Sequence, residues 1–166
     1  MEVNLVDSVT LKLLQSLKER LIAQKMTIAT AESCTGGLIA ASLTELPGSS
    51  SYFLGGVVAY SEAAKAQILG VSGELLATDG AVSFKCAEAM AAGAKRRFAA
   101  DLAVATTGYA GPKVGNEKEA IGTVYCGFCY LEMTKSVRCL FRGNRMEVRE
   151  QAVHFVLSSL LDWLSV

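Results

Sequence analysis

A serine in a short turn is the residue of this chain whose position best suits nucleophilic chemistry. Ser33 opens the segment Ser33-Cys34-Thr35-Gly36-Gly37, which lies between a β-prone run and an apolar helix. Amides at the beginning of a helix are free donors and favour an anion or a developing oxyanion, and glycines let a substrate approach the backbone. The more common interpretation is that Ser33 or Thr35 only caps the helix. Cys34 is a rival nucleophile, because a helix start lowers a thiol pKa.

A nucleophilic serine needs a base, and the sequence offers two kinds. The only histidine is His154, within the final helical segment, and nothing near it indicates a serine-histidine-aspartate triad. A lysine is the alternative, because desolvation lowers the pKa of its amine and yields a neutral form. Lys65 follows the strand end at Tyr60 by about one helical turn, so both residues could share a site with Ser33. A solvated lysine and a packing tyrosine are the more common interpretations.

Two other segments contain residues that suit a ligand site. Thr107 and Gly108 follow an apolar run, and ligands of open α/β sheets collect beyond the carboxyl ends of parallel strands. Arg142 and Arg145 follow another strand-like run and flank a Gly-Asn pair. Guanidinium groups bind phosphate through paired donors, although an exposed arginine in a turn is the usual interpretation.

The cysteines are five in number, and we expect no signal peptide because residues 1–7 include acidic side chains and no apolar run. Both observations indicate reduced thiols. Cys126 and Cys129 form a CxxC pattern within a run that reads as a strand. Because residues i and i+3 of a strand face opposite ways, we expect this pair to share neither a disulfide nor a metal.

The composition is that of one compact globular domain, which we expect to span residues 1–166. Apolar residues make up 51% of the chain and charged residues only 19%, which argues against disorder. Lys+Arg and Asp+Glu both number 16, and this zero net charge does not favour a nucleic-acid partner. No apolar stretch is long enough to span a bilayer. We therefore expect a cytoplasmic protein without membrane contact.

The spacing of apolar residues predicts alternating helices and strands. Helices are expected over Ser8–Ala23, Leu38–Leu43, Glu62–Leu69, Phe84–Ala99 and Met146–Leu164. Strands are expected over Met26–Ala31, Gly55–Tyr60, Leu102–Thr106, Ile121–Leu131 and Ser136–Arg142, the last two as an antiparallel pair. We expect Gly55–Tyr60 to be buried on both faces because it is almost continuously apolar. This order of elements predicts an α/β fold, a three-layer α/β/α sandwich with a mixed sheet.

Seven separated motifs, in order and with matching spacing, resemble the CinA carboxy-terminal domain family. They cover nearly the whole chain and read AESCTGG (31–37), PGSSSYFLGGVVAYSEAAK (47–65), LGV (69–71), GAVS (80–83), TGYAGP (107–112), IGTVY (121–125) and GNRMEVREQA (143–152). The resemblance implies an α/β/α sandwich of the anticodon-binding-domain-like kind. We expect the stand-alone form of this domain.

The resemblance also implies an activity, the hydrolysis of nicotinamide mononucleotide to nicotinic acid mononucleotide and ammonia. Ser33 matches the nucleophile of the family, and Tyr60 and Lys65 match its catalytic partners. In the implied mechanism neutral Lys65, assisted by Tyr60, takes the proton of Ser33, and amides of the following turn hold the oxyanion. The substrate-binding positions expected with them are Thr35, Gly36, Gly37, Gly48, Ser49, Ser50, Thr107, Gly108 and Arg145. Arg145 and the turn 48–50 are the candidate phosphate contacts. The resemblance implies no metal or organic cofactor, and the expected partners are a pyridine nucleotide and a second copy of the chain in a homodimer.

The chain departs from the family pattern at four places. Glu62 replaces an asparagine, Tyr109 replaces an isoleucine, Lys113-Val114-Gly115 replaces a glycine pair, and Ala120-Ile121 replaces a proline. Glu62 adds negative charge near a site for a phosphorylated substrate. Two alternatives to a nicotinamide-nucleotide amidase therefore stay open. One is a catalytically silent domain that binds a nucleotide or a protein, and the other is an amidase for another small amide.

Overall fold

The structure is a computed structural model that describes residues 7–115 and 117–165. Its helices are α1 (Ser8–Ala23), α2 (Leu38–Leu43), α3 (Glu62–Leu69), α4 (Gly73–Thr78), α5 (Phe84–Phe98) and α6 (Arg145–Trp163). Its strands are β1 (Ile28–Glu32), β2 (Phe53–Val58), β3 (Leu102–Gly108), β4 (Thr123–Tyr130) and β5 (Met133–Leu140). A short 3-10 helix, Ser49–Ser51, precedes β2.

The strands form one mixed sheet in the order β2-β1-β3-β4-β5. β1 is parallel to both of its neighbours, whereas β3, β4 and β5 pair antiparallel in succession. The carboxyl ends of β2, β1 and β3 therefore meet at one edge of the sheet, where Val58, Glu32 and Thr106 stand side by side.

Two hydrophobic cores lie on the two faces of this sheet. α1, α2 and α6 pack on one face, over alternate strand residues such as Ile28 and Val104. α3 and α5 pack on the other face, over the intervening residues Ala29 and Ala103. The strand period of two divides each buried strand between the cores. The fold is therefore the three-layer α/β/α sandwich with a mixed sheet that the order of elements predicts.

Helix ends are set by side-chain caps that the sequence carries. Ser61 and Ser83 accept hydrogen bonds from the first turns of α3 and α5. Asn144 and Glu147 form a reciprocal capping box at the beginning of α6. Such caps satisfy amides that have no partner within the helix. The cap at Asn144 places Arg145 at the first position of α6, where it faces the same sheet edge as Tyr60.

Most predicted elements are confirmed, with ends displaced by a few residues. The largest displacement is that of β5, which begins at Met133 rather than at Ser136. Helix α4 was not predicted from the sequence. The expectation that Gly55–Tyr60 is buried on both faces is wrong. β2 is the edge strand of the sheet, and its residues alternate between half-buried and exposed.

The five cysteines are free thiols in buried positions. Cys126 belongs to the core under α6 and Cys129 to the core under α5, so the CxxC pair does face opposite ways. None of the helices in the described ranges combines the length and the apolar composition needed to cross a membrane.

Candidate active site

The turn after β1 holds Ser33 at the carboxyl edge of the sheet. The Ser33 amide donates to the carbonyl oxygen of Thr106 on β3 at 2.9 Å, which extends the strand pairing by one residue. The Ser33 carbonyl accepts from the amide of Gly36 at 3.0 Å, which closes the turn. Ser33 is 7% exposed. Its backbone is thus fixed by the central strand pair, and its hydroxyl remains at the surface of a cleft.

Glu32, the last residue of β1, is the buried acid that anchors this turn. It is 1% exposed. Its Oε2 accepts from the Thr35 hydroxyl at 2.7 Å and from the amides of Gly37 and Ile39 at 3.0 Å each. Its Oε1 accepts from the Ala40 amide at 2.8 Å. The carboxylate thereby satisfies the first turn of α2 in place of an ordinary cap, and its charge suits the positive end of a helix.

Lys65 reaches the same place from α3. Its Nζ donates to Ser33 Oγ at 3.2 Å, and its side chain is 3% exposed. Burial lowers the pKa of this amine below its ordinary value of 10.5. The ion pairs within the described residues are Lys85–Asp79 and Arg138–Glu119, and neither includes Lys65. The charge of Glu62 opposes the lowering of the Lys65 pKa but does not cancel it. A desolvated amine without an ion-pair partner, next to a hydroxyl, is the arrangement of a serine nucleophile with a lysine base.

Tyr60 and Arg145 form a second pair at the mouth of the cleft. Arg145 Nη2 donates to the Tyr60 hydroxyl at 2.8 Å, and Nη1 donates to the Gly111 carbonyl at 2.6 Å. Tyr60 is 62% exposed. Within the described ranges no hydrogen bond joins the Tyr60 hydroxyl to Ser33 or Lys65. The pair therefore lines the entrance rather than the floor.

These residues enclose a cleft of about 280 Å³, with Ser33 and Lys65 in its wall. The full lining is Ser33, Cys34, Tyr60, Glu62, Lys65, Ala81, Val82, Gly108, Ala110 and Arg145. The predicted residues Ser33, Tyr60, Lys65, Gly108 and Arg145 are thus brought together from α3, β3, α6 and the segments that follow β1 and β2. The described chain contains no cluster of three or more side chains of the kinds that bind metals.

Two amides expected to be open to a ligand are already engaged. The Gly37 amide donates to Glu32, and the Gly36 amide donates to the Ser33 carbonyl. The expectation of free donors at these two positions is wrong, because the buried carboxylate occupies the N-terminus of α2 and the turn closes on itself. The Thr35 hydroxyl is also enclosed, between Glu32 and the Thr106 hydroxyl at 2.6 Å.

Thr107 contributes to the cleft indirectly. Its hydroxyl donates to the Ala81 carbonyl at 2.6 Å, and its side chain is fully buried. Ala81 and Val82 line the cleft, so Thr107 fastens that wall to β3. Because the Thr107 hydroxyl is engaged with Ala81, it is not available to contact a ligand in the cleft.

The turn 48–50 lies at the opposite end of the parallel strands, before the first residue of β2. It precedes Phe53, the first residue of β2, and Phe53 pairs with Ile28 at the beginning of β1. Ser33 follows the end of β1, so the two positions are separated by the length of that strand, roughly 16 Å. Gly48, Ser49 and Ser50 are therefore not brought to this cleft. The spacing of a motif along the chain does not reveal which end of a strand its residues occupy.

The other groups considered for the site are Cys34, His154 and Arg142. Each is either distant from Ser33 or unsuited to the reaction. Burial raises the pKa of the Cys34 thiol to about 11, which opposes a role as a thiolate nucleophile. His154 and Arg142 line a separate surface groove with Glu150, so the histidine does not serve Ser33 and Arg142 is not at this cleft.

Four residues at the site were not anticipated as functional residues. Glu32 anchors the nucleophile turn, Ala81 and Val82 form a wall, and Arg149 on α6 donates from Nη2 to the Thr35 carbonyl at 2.9 Å. An acidic residue at the end of an otherwise apolar strand was the available signal for Glu32. Arg149 follows Arg145 by one helical turn, which places both guanidinium groups on one face of α6.

Comparison with known proteins agrees with this architecture. The model of the family described as the CinA C-terminal domain matches residues 10–164. A CinA-like protein of Mycobacterium avium is 50% identical over 157 residues, covering 88% of this chain and 36% of that protein. A CinA-like protein of Mycobacterium marinum is 51% identical over 154 residues, covering 90% and 35%. The chain thus spans about a third of the length of these curated relatives.

Solved structures resemble the chain along nearly their whole length. The competence/damage inducible protein CihA from Agrobacterium tumefaciens superposes with a TM-score of 0.92 at 35% identity, and all of both chains is covered. The competence damage-inducible protein A from Klebsiella pneumoniae gives a TM-score of 0.91 at 36% identity, covering 94% of this chain and 97% of that one.

Proposed function

This chain belongs to the CinA C-terminal domain family, and from that premise we propose that it is an amidohydrolase of nicotinamide nucleotides. The reaction would convert nicotinamide mononucleotide into nicotinic acid mononucleotide and ammonia, as the resemblance of its motifs implies. The observation that carries the proposal is the 3.2 Å contact between the Lys65 amine and the Ser33 hydroxyl in a buried position.

Acylation begins with neutral Lys65. Because burial lowers the pKa of this amine, its unprotonated form is more accessible than that of a solvated lysine. The Ser33 hydroxyl turns its proton toward Nζ, and Oγ attacks the carboxamide carbon. The C–N bond of the tetrahedral adduct then breaks, and the Lys65 ammonium returns its proton to the departing nitrogen. The products of this half-reaction are ammonia and an ester on Ser33.

In deacylation Lys65 again acts first as a base, toward water, and then as an acid, toward Ser33. Water attacks the ester carbonyl while Lys65 accepts its proton. The ester C–O bond breaks, Lys65 returns the proton to Ser33 Oγ, and the carboxylic acid product leaves ionised. One base thus serves both half-reactions, and the enzyme ends in its starting state.

The oxyanion needs donors other than the amides of Gly36 and Gly37. The amides of Cys34 and Thr35, which make no backbone hydrogen bond within the described part of the chain, are the candidates that directly follow Ser33 along the backbone. An oxyanion donor contributes ~10²–10³ in turnover. Arg145 and Tyr60 would contact the nucleotide at the mouth, with the guanidinium facing the phosphate.

The decisive experiment measures ammonia released from nicotinamide mononucleotide by the purified protein, with Ser33→Ala as the matched control. Release by the wild type and none by the variant supports the proposal. Equal release by both would remove Ser33 as the nucleophile. Nucleotide binding without turnover would favour a silent binding domain, and release from other amides alone would favour a different substrate.

A further inference from the structure

Glu62 places a negative charge in the wall of the cleft. It is the first residue of α3, follows the Ser61 cap, and lines the cleft together with Ser33 and Lys65. Residues three apart on a helix share a face, so Glu62 and Lys65 are neighbours on the side of α3 that meets the cleft. Its side chain is exposed, in contrast to the enclosed amine of Lys65.

The Glu62 carboxylate belongs to neither of the ion pairs within the described ranges. Burial lowers the pKa of the neighbouring Lys65 amine, and the charge of Glu62 opposes that shift without cancelling it. The cation at the mouth, Arg145, is already tethered to Tyr60 and Gly111. With Lys65 neutral in its working form, the cleft therefore presents an uncompensated negative charge near the nucleophile and a positive charge at the entrance.

A nicotinamide nucleotide carries the complementary charges. Its phosphate is anionic, and its pyridinium ring bears a positive charge a few bonds from the carboxamide carbon that Ser33 would attack. We propose that Glu62 is a specificity-determining residue, which selects carboxamides on a cationic aromatic ring over those on a neutral ring. The inference rests on the proposed function and adds to it the charge of the ring that the site accepts.

The effect belongs to substrate binding, because the ring keeps its positive charge from the free substrate to the acyl-enzyme. A charge pair in a cleft that is open to solvent contributes modestly, roughly fivefold to tenfold in affinity. Replacement of Glu62 by glutamine retains the shape of the side chain and removes the charge. The loss should therefore appear with a cationic ligand and not with a neutral ligand of the same shape.

The test is a comparison of dissociation constants measured by titration calorimetry in a Ser33→Ala background, where no turnover disturbs the measurement. The two probes are nicotinamide mononucleotide and the corresponding benzamide C-ribonucleotide, whose ring is neutral. Glu62→Gln should weaken binding of the first probe roughly fivefold to tenfold and leave the second within about twofold. Glu74→Gln is the matched control, because Glu74 is also an acidic first-turn residue of a short helix but lies outside the cleft.

If Glu62→Gln weakens binding of both probes equally, or of neither, Glu62 does not distinguish a charged ring from a neutral one. This outcome is distinct from failure of the proposed function, which would appear as absent ammonia release by the unmodified protein. A shift of the pH profile of turnover in Glu62→Gln without a change in probe selectivity would also overturn the inference. That result would mean that the Glu62 carboxylate acts on the protonation of Lys65 rather than on the substrate ring.

Discussion

Replacing Glu32 with glutamine tests whether the buried acid holds the nucleophile turn. The carboxylate accepts from the Gly37 amide, from two amides of α2 and from the Thr35 hydroxyl, and it has no cation within ion-pair distance in the described chain. A glutamine retains the length but supplies one acceptor oxygen and one NH₂ group. In its best orientation the NH₂ replaces Oε1 and opposes the Ala40 amide, while the oxygen keeps the three donors of Oε2.

The magnitude follows from those contacts. One buried donor left without an acceptor costs about 1–3 kcal/mol, and each bond to a charged acceptor exceeds a neutral one by about 1 kcal/mol. Relief from burying an unpaired charge offsets part of this sum. We expect Glu32→Gln to lower the free energy of unfolding by about 3 kcal/mol. For a domain of this size that is a fall in Tm of roughly 6–12 °C.

The assay is urea denaturation followed by circular dichroism, with ammonia release measured on the folded variant. The matched control is Asn144→Ala, which removes the exposed cap of α6 and should cost only about 1 kcal/mol. We also expect kcat to fall more than KM rises, because the turn carries the nucleophile. An unfolding free energy within about 0.5 kcal/mol of wild type, with unchanged kcat, would refute the anchoring role of Glu32.

Three further changes test the surroundings of the nucleophile. Lys65→Met should abolish ammonia release while urea denaturation shows equal or greater stability, since it removes a buried amine, and a near-normal rate would contradict the base role. The lowered pKa of Lys65 means that the folded chain loses a proton that the unfolded chain still binds. Stability should therefore rise with pH between that pKa and 10.5 in the wild type, but without this contribution in Lys65→Met. Cys34→Ala should retain turnover, because burial raises the thiol pKa to about 11, and a loss as complete as that of Ser33→Ala would point to the thiol. Arg149→Lys should lower kcat by roughly fivefold with little change in KM, as expected for a lost hydrogen bond of about 1 kcal/mol to the Thr35 carbonyl, and a change confined to KM would instead indicate substrate contact.

The layers of the fold follow from periodicity, but the order of the strands does not. Amphipathic repeats placed α1 and α6, and apolar runs placed β1 and β3. The edge position of β2 depends on which strand it pairs with, and an apolar run contains no information about that choice. α4 was not predicted because its six residues, GELLAT, begin with a glycine and include no buried residue, so they show no amphipathic repeat.

The residues alone favoured a helix cap at Ser33 and a solvated lysine at position 65. The resemblance of the motifs to a known family is what predicted that Ser33 and Lys65 share a site. The role of Glu32 was not predictable, because the direction of a strand-end side chain depends on where the next helix begins. The same limit applies to Arg149, which crosses from α6 to the turn after β1.

The nucleophile turn is attached to the central strands of the sheet, and this attachment limits both local opening of the turn and the substitutions that it tolerates. The amides of Gly37, Ile39 and Ala40 are closed by a buried acid, so their hydrogens should exchange with solvent at rates near those of global unfolding. Because the turn around Ser33 opens only with the whole domain, few substitutions are tolerated there. New substrate preferences would therefore arise by changes at the rim, at the first turn of α3 and in the loops around Ala81 and Ala110, where a substitution alters the fit without loosening the domain.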